Sequence, residues 1–411
     1  MKIDQTSFMD PATQEDPFSY YDALLEQAPV YFMKEIGAYV VTKYKDICHV
    51  VAHPEIWSID MRALPAAQLI KSEAARKLLE DEGFPRDTKL TTDPPVHTQY
   101  RAAVRGAFTP QRVKIQAAFI QDAVNDLTAQ IIDLGQCEFM RQFAWWLPMR
   151  VITRLLGVPY EDADKIKHWS DVWVEPLTYG ISEERELYVA QEEVALQKYL
   201  VHHMERKKRE PSEDILTDLA NAKMADGSDM PLAEKVGLAE HLIVGGHETA
   251  TSALGAGMMK LAQHPEIAAE LRADPGLVET FTEEVIRLES PSQGFFRIAV
   301  QDAELRGVTI PKGAMVHLRF AAANRDPEQF TDPTRLDIRR KNANTHVGFS
   351  QGPHFCLGSP YARMELNTAF RTLVQALDDI RLVPGANDLK HLPGLSLRTL
   401  KELHISYRRR T

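Results

Sequence analysis

The chain is poor in cysteine, since its 411 residues include only Cys48, Cys137 and Cys356. So few cysteines, in an odd number, do not build a disulfide framework. Long apolar runs are also missing, because no stretch of about 18 apolar residues occurs that could cross a membrane. The N-terminus is polar and acidic and lacks the apolar segment of a signal peptide. These absences predict a soluble, cytoplasmic protein.

An excess of positive charge is absent as well. The formal net charge is -10 and the basic residues are scattered along the chain, which argues against binding to nucleic acid. We find no Gly/Ser-rich linker, no block of like charges and no internal repeat. With 44% hydrophobic residues the chain can form one large core, so residues 1–411 are predicted to be a single domain.

The patterns that are present are mostly helical, with two β-like patches. Near the N-terminus, β-branched and aromatic runs at residues 29–32 and 38–42 flank Gly37, which predicts a hairpin. A second patch extends from Phe295 to His317. The predicted fold class is therefore mainly α with small β-sheets. A β-containing N-terminal part, about residues 1–60, is expected to pack on an α-rich body.

Two predicted helices bear on function. The first extends from about Pro231 to Gln263, where a His-Pro pair stops it. At about 1.5 Å per residue this helix is about 50 Å long, enough to cross a whole molecule. The second is predicted to begin at Asp274, an N-cap residue followed by proline at the first helical position, and to end before Pro291.

One cysteine lies in a specific local pattern. Residues Phe349, Gly352, Cys356 and Gly358 fit the spacing F-x-x-G-x-x-x-C-x-G. A thiolate that ligates a metal needs space around the backbone, which glycine provides. Cys356 is also predicted to precede a helix, whose positive N-terminal end stabilises a thiolate. Phe349 would shield the sulfur from water, whereas Cys48 and Cys137 lack such a pattern and are predicted to be structural.

The predicted long helix contains an unusual stretch, Gly245-Gly246-His247-Glu248-Thr249. Glycine in a helix interior is unfavourable by about 1 kcal/mol relative to alanine, and such local violations are expected at functional sites. His247-Glu248 begins like the zinc motif H-E-x-x-H. Position 251 is threonine, however, so the second histidine is missing and we reject that motif.

These motifs together resemble the cytochrome P450 family, in its soluble bacterial type, across nearly the whole chain. Glu284 and Arg287 look like its E-x-x-R pair, and residues 323–337 are similar to its meander segment. The resemblance implies a buried ion network, completed by Arg325, that holds the fold behind the cysteine loop. It also implies haem b, buried between the long helix and the helix after the cysteine loop, with Cys356 as the iron ligand.

The resemblance further assigns residues around the haem. The haem propionates would be neutralised by His97, Arg101, Arg297 and His354. Gly245 would leave room for dioxygen, and Glu248 and Thr249 would form the proton path to it. The substrate pocket would include His241, Val244, Ser292, Phe295, Phe296 and Leu395, which are mostly apolar and so predict a hydrophobic organic substrate.

The implied activity is a haem-thiolate monooxygenase that inserts one atom of O2 by hydroxylation or O-dealkylation. No flavin, nicotinamide or iron–sulfur motif occurs in the sequence, so electrons are expected from a separate ferredoxin and its NAD(P)H-dependent reductase. Basic residues expected to dock the ferredoxin are Arg101, Arg105, Arg112 and Arg363. Two alternatives stay open: a peroxide-dependent haem-thiolate peroxygenase and a non-catalytic haem sensor.

Overall fold

The structure is a computed structural model that describes residues 3–63, 70–86, 89–177 and 181–410. Contacts between Cα atoms divide the chain into two compact units. The first unit comprises residues within 1–59, 117–147 and 249–411, and the second comprises residues within 60–116 and 148–248. The chain thus passes between the units several times, and the single domain stays a prediction.

Helices dominate both units. In chain order the α-helices are α1 (Pro11–Glu15), α2 (Phe18–Gln27), α3 (Tyr44–Ala52), α4 (Glu73–Glu82), α5 (Val96–Arg105), α6 (Pro110–Ile115), α7 (Ala117–Ile131), α8 (Trp146–Leu156), α9 (Ala163–Val174), α10 (Glu183–Arg209), α11 (Ile215–Ala220), α12 (Leu232–Gln263), α13 (Pro265–Ala273), α14 (Leu277–Glu289), α15 (Phe320–Ala323) and α16 (Ser359–Ala376). Within the described residues, no helix combines the length and the apolar character needed to span a bilayer.

The strands are short. They are β1 (Val30–Met33), β2 (Ala38–Val41), β3 (Trp57–Ser58), β4 (Gln136–Glu138), β5 (Phe295–Ala299), β6 (Ala303–Leu305), β7 (Val308–Ile310), β8 (Met315–Leu318), β9 (Leu377–Leu382) and β10 (His404–Arg409). A predominance of helix with small sheets confirms the predicted fold class.

The main sheet belongs to the first unit and joins the two predicted β patches. Its strand order is β1-β2-β8-β5-β3. The β1–β2 pair is antiparallel, and Gly37 in its turn has a φ of 62°, which favours glycine. This confirms the predicted hairpin. β8 pairs parallel with β2 and antiparallel with β5, so the N-terminal strands form one sheet with the later patch.

The core of the first unit follows from the alternation of side chains along these strands. Val41 and Leu318 pack with Trp57 and Phe330 in one apolar cluster. Val40, the chain neighbour of Val41, packs in a second cluster instead. Both faces of the sheet are therefore covered, which explains why its central strands are apolar on both sides.

The two helices predicted to bear on function are both present. α12 extends from Leu232 to Gln263, within one residue of the prediction, and ends where Pro265 begins the next helix. The predicted start of the second helix at Asp274 is wrong, because α14 begins at Leu277. The Asp274 side chain accepts a hydrogen bond from Gly276 N–H at 3.1 Å. It thereby stabilises a separate turn before α14 instead of capping the helix.

Candidate active site

The cysteine loop, residues 347–358, lies in the first unit and holds its shape through backbone hydrogen bonds. Cys356 N–H donates to the Phe349 carbonyl at 2.9 Å, and the Cys356 side chain is exposed. α16 begins three residues later at Ser359, which confirms that Cys356 precedes a helix. The sulfur therefore lies near the positive end of a helix, where a thiolate is stabilised.

The two glycines of the motif have different surroundings. Gly352 has a φ of 66°, and a Cβ atom there would lie 2.9 Å from the Val51 carbonyl oxygen. Its lack of a side chain is thus required by the fold itself. A Cβ atom on Gly358 would meet only the Cys356 sulfur, at an ordinary 3.9 Å. Among the described residues nothing else crowds Gly358, so its predicted role beside a cofactor stays a prediction.

A buried ion network anchors the cysteine loop from behind. Glu283 on α14 accepts hydrogen bonds from Arg363 Nε at 2.6 Å and from His346 Nε2 at 3.1 Å. The Arg363 guanidinium also lies 4.5 Å from the centre of the Phe349 ring. Burial raises the pKa of Glu283, but the hydrogen bonds from His346 and Arg363 outweigh it and lower the pKa to about 2. The sequence prediction did not include this network.

The E-x-x-R pair forms a second network in the same unit, and both of its residues are fully buried. Arg287 Nη2 donates to Glu284 Oε2 at 2.9 Å, and Arg287 Nη1 donates to the Asn324 carbonyl at 2.8 Å. The predicted third member is wrong. Arg340 Nε, not Arg325, lies 3.1 Å from Glu284 Oε1.

Arg325 is directed elsewhere. Its Nη2 donates to the Leu288 carbonyl at 3.1 Å, and its guanidinium lies 3.8 Å from the centre of the Phe18 ring. It therefore ties the C-terminal end of α14 to α2. The role assigned to Arg325 belongs to an arginine 15 residues further along the sequence.

Helix α12 is buried along most of its length but has one open stripe. Between Lys235 and Met259, the residues that are half-buried or exposed are His241, Val244, Gly245, Gly246, Glu248 and Thr249, whereas Ile243, His247 and Ala250 are buried. Gly246 faces Ile152, and the other five residues form the stripe. The spacing of three, four, seven and eight residues from His241 places these side chains on one face. The stripe thus joins the predicted oxygen-side residues to two predicted pocket residues.

The paired glycines of α12 differ in the space beside them. A Cβ atom on Gly245 would meet no heavy atom within 4 Å in the described structure, whereas one on Gly246 would lie 2.8 Å from Ile152 Cδ1. Gly246 therefore allows α8 to pack closely against α12 within the second unit. Gly245 leaves open space on the stripe, as predicted for a residue beside a ligand.

Glu248 lies in a polar cluster of the second unit. Its Oε1 is 3.0 Å from His247 Nε2, and Asp171 on α9 is close to both residues. Burial raises the pKa of Glu248, but the neighbouring His247 and Lys167 act in the opposite direction and the net pKa is lowered. Glu248 is thus held as a carboxylate. The contacts of Glu248 with Asp171 and Lys167 were not predicted, because nothing in the sequence near α9 indicates them.

The four predicted propionate partners are divided between the units. His97 and Arg101 lie one turn apart on α5, and burial followed by the charge of Arg101 lowers the pKa of His97. Arg297 is buried and donates to the Phe296 carbonyl at 2.8 Å. His354 ends a short helical turn, Gly352–His354, within the cysteine loop.

The predicted pocket residues fall into two groups. His241, Val244, Phe295 and Phe296 are half-buried or exposed, so their side chains are open to a ligand. Ser292 and Leu395 are buried, and Leu395 packs in the apolar cluster of α2 and β2. Burial lowers the pKa of His241 to about 4, which makes it a neutral imidazole at pH 7.

Comparison with known proteins identifies the family. The sequence model of the cytochrome P450 family matches residues 171–378. A relative, the cytochrome P450 monooxygenase PikC of Streptomyces venezuelae, is 33% identical over 400 residues, covering 96% of this chain and 92% of the relative. The chain belongs to the cytochrome P450 family.

Other relatives agree with this assignment. The vitamin D(3) 25-hydroxylase of Pseudonocardia autotrophica is 32% identical over 395 residues, covering 95% of this chain and 94% of the relative. The solved structure of cytochrome P450 CREJ in complex with (4-ethylphenyl) dihydrogen phosphate has a TM-score of 0.90 at 27% identity, covering 99% of this chain and all of that one. The chain is therefore a monooxygenase with the cytochrome P450 fold.

The residues present fit the haem that a cytochrome P450 requires. The open space beside Gly245 is room that a side chain would have filled. Cys356 offers an exposed sulfur next to the N-terminus of α16, and a thiolate is a ligand of haem iron in this class of enzyme. The predicted cationic partners would supply the charge that two buried propionates need.

Proposed function

We propose that this cytochrome P450 is a haem-thiolate enzyme that inserts one atom of O2 into a hydrophobic organic substrate, by hydroxylation or O-dealkylation. The observation that carries the proposal is the open stripe of α12, in which Gly245 precedes an acid and a threonine. A Cβ atom on Gly245 would meet no heavy atom of the described residues within 4 Å. The stripe combines space for a ligand with groups that hold and transfer protons, as dioxygen activation requires.

Haem b would be held through Cys356 as the iron ligand, with His97, Arg101, Arg297 and His354 as cationic partners of its propionates. Haem, when bound, supplies the binding and activation of dioxygen and the oxidation of the substrate. The protein's own part begins with the cysteine loop. The hydrogen bond from Cys356 N–H to the Phe349 carbonyl holds the loop in place, and the N-terminus of α16 at Ser359 stabilises negative charge on the sulfur.

Proton transfer is assigned to Glu248 and Thr249. The Glu248 carboxylate lies beside the buried His247, and its pKa is lowered. It is therefore ionised and would relay protons from solvent by accepting each one only briefly. The Thr249 hydroxyl both donates and accepts hydrogen bonds. It follows Glu248 directly on the helix and passes the proton toward the open space at Gly245.

The substrate is assigned to the open, apolar residues. Phe295 is 48% exposed, and Phe296 and Val244 are half-buried, so they offer apolar surface to a ligand. Neutral His241 would hydrogen-bond to one polar group on it. A hydrophobic substrate agrees with a relative named as a vitamin D(3) hydroxylase. Replacing His241 by leucine should weaken the spectral shift that a hydrophobic substrate with one polar group induces, and an unchanged shift would remove this role.

Electrons are expected from a ferredoxin and its NAD(P)H-dependent reductase, and the chain is expected to act in the cytoplasm. Two of the four arginines predicted to dock the ferredoxin already have partners, since Arg112 pairs with Asp218 at 3.2 Å and Arg363 pairs with Glu283. The docking proposal rests on the positive charge of all four arginines, which an acidic ferredoxin would complement. An electron-transfer rate that does not change with salt would contradict it.

The proposal is tested by turnover of compounds that shift the haem spectrum on binding. Ferredoxin, reductase and NAD(P)H should support product formation. Thr249→Ala should lower the product formed per NAD(P)H by about tenfold or more at unchanged haem content, because groups that transfer protons contribute at least that much. If hydrogen peroxide alone supports faster turnover and Thr249→Ala has no effect, the enzyme is a peroxygenase instead.

A further inference from the structure

The cluster of Asp171, His247 and Glu248 has a feature that a proton-transfer role does not explain. One ligand atom from each residue lies within 4.8 Å of the other two. His247 is buried, and its Nε2 makes no hydrogen bond among the described residues although Glu248 Oε1 is 3.0 Å away. Three groups able to bind a cation therefore converge at one point.

The tautomer of His247 follows from its other nitrogen. Nδ1 lies 3.1 Å from the Ile243 carbonyl oxygen, which can only accept a hydrogen bond, so Nδ1 carries the hydrogen. If the His247 ring is neutral, Nε2 then carries a lone pair that lies 3.0 Å from Glu248 Oε1. Two acceptors this close repel each other unless a proton or a metal ion lies between them. A backbone bond to the second nitrogen is also how metal-binding histidines are oriented.

We propose that Asp171, His247 and Glu248 form a binding site for a borderline divalent metal ion of the Zn2+ type. One imidazole and two carboxylates form a ligand set that Zn2+ uses, whereas Mg2+ and Ca2+ require oxygen ligands. Ligand atoms around tetrahedral Zn2+ are separated by about 3.4 Å, given bonds of about 2.0–2.1 Å. Side-chain rotations that bring the ligand atoms, now within 4.8 Å of one another, about an ångström closer would give the cluster that size. Asp171 is exposed and provides the entrance from solvent.

Lys167 competes for this site. Its Nζ lies 2.8 and 2.7 Å from the two carboxylate oxygens of Asp171, one turn away on α9. A metal ion must displace this ammonium group, and Lys167 is joined to the helix by a flexible stem that allows it to turn away. Removing the ammonium group should therefore strengthen metal binding. A gain in affinity cannot arise from misfolding, so it tests the site directly.

The experiment is a calorimetric titration of the haem-loaded protein with Zn2+. A competing pair of histidines lies at the C-terminal end of α3, where His49 and the C-cap residue His53 have ring centres 4.3 Å apart, so all variants carry His49→Gln. In that background we expect one Zn2+ per chain. Asp171→Asn should weaken binding at least about tenfold, and Lys167→Met should tighten it by about as much. Each tenfold change corresponds to about 1.4 kcal/mol.

A matched control is His168→Gln, which removes an exposed histidine of α9 that lies 3.3 Å from Glu192; it should leave Zn2+ affinity unchanged. Crystals soaked in Zn2+ should show anomalous scattering between Asp171 and His247 Nε2. Equal affinity in the Asp171→Asn and Lys167→Met variants, or no scattering at this position, would overturn the proposal. The close pair of His247 and Glu248 would then be held by a proton.

A consequence of the site depends on the function proposed for Glu248. Bound Zn2+ would occupy the carboxylate and slow turnover, and Lys167→Met should then be inhibited at lower Zn2+ concentrations. Zn2+ binding that leaves turnover unchanged would keep the metal site and contradict the proton-transfer role of Glu248. No binding at all would overturn the metal site and leave the proposed function intact.

Discussion

Glu283 gives the sharpest quantitative test of how the cysteine loop is held, because one buried carboxylate bonds to residues on both sides of it. Its oxygens accept hydrogen bonds from Arg363 at 2.6 and 3.0 Å and from His346 at 3.1 Å. Together these bonds overcome the effect of burial and lower the pKa from 4.5 to about 2. Glu283→Gln keeps the shape of the side chain and removes its charge.

The size of the effect follows from linkage between protonation and folding. Lowering the pKa from 4.5 to about 2 stabilises the folded state by about 3 kcal/mol, since each tenfold change in proton affinity is worth about 1.4 kcal/mol. Breaking a buried ion pair by removing one partner has a comparable effect, about 3–5 kcal/mol. We therefore expect Glu283→Gln to lower the free energy of unfolding at pH 7 by about 3 kcal/mol.

The pH dependence has a definite sign. Because the folded pKa of Glu283 lies below 4.5, its stabilisation is complete above about pH 5 and is lost as the pH falls toward 2. The difference between the wild type and Glu283→Gln should thus be about 1.4 kcal/mol smaller at pH 3.5 than at pH 7. Denaturant unfolding followed by circular dichroism measures both quantities.

A matched control lies one turn earlier on the same helix. Glu279 is exposed, so Glu279→Gln should change stability by less than about 0.5 kcal/mol at either pH. Since Arg363 also stacks on Phe349, Glu283→Gln should lower the fraction of protein that retains a thiolate-ligated haem spectrum. The reasoning is refuted if the two variants are equally stable at pH 7, or if their difference does not change with pH.

Two further predictions each compare a pair of variants. The first pair replaces neighbouring glycines of α12, and the second pair replaces the interacting carboxylates Glu240 and Glu193. Gly245→Ala should stabilise the protein by up to about 1 kcal/mol while weakening ligand binding to the haem. Gly246→Ala should destabilise the protein by about 1–3 kcal/mol, because its Cβ would meet Ile152. Thermal unfolding and ligand titration separate these effects, and equal stability of the two variants would contradict the prediction. Burial and, to a smaller extent, the charge of Glu193 raise the pKa of Glu240. The stability that neutral Glu240 contributes therefore falls as the pH rises through and above 4.5. Glu240→Gln should therefore not destabilise the protein at pH 8. Glu193→Gln, which breaks a buried ion pair with arginine, should destabilise it by about 3–5 kcal/mol, and the reverse order would refute this assignment.

The fold was predictable where local patterns determine it. The hairpin around Gly37 and the long helix α12 were predicted because alternation, turn chemistry and a proline stop are all local in sequence. The start of the helix at Asp274 was wrong because an aspartate before proline serves a turn as well as a helix cap. Only its bond to Gly276 distinguishes the two.

The site was predictable in part. The position of Cys356 before α16 followed from the helical pattern after its motif, but the partners behind the loop did not follow from the sequence. Glu283, His346 and Arg363 are separated by up to 80 residues and meet only after folding. The wrong assignment of Arg325 in place of Arg340 has the same origin, because a sequence with many arginines does not indicate which of them reaches Glu284.

The central claim, that Cys356 ligates the haem iron, is tested most directly by the spectrum of the reduced, carbon monoxide-bound protein. Cys356→Ser should lose the thiolate-ligated spectrum and most of its bound haem. Cys137→Ser replaces a buried cysteine in β4 and should keep both. A thiolate-ligated spectrum that persists in Cys356→Ser, or one that is lost in Cys137→Ser at full stability, would contradict the account.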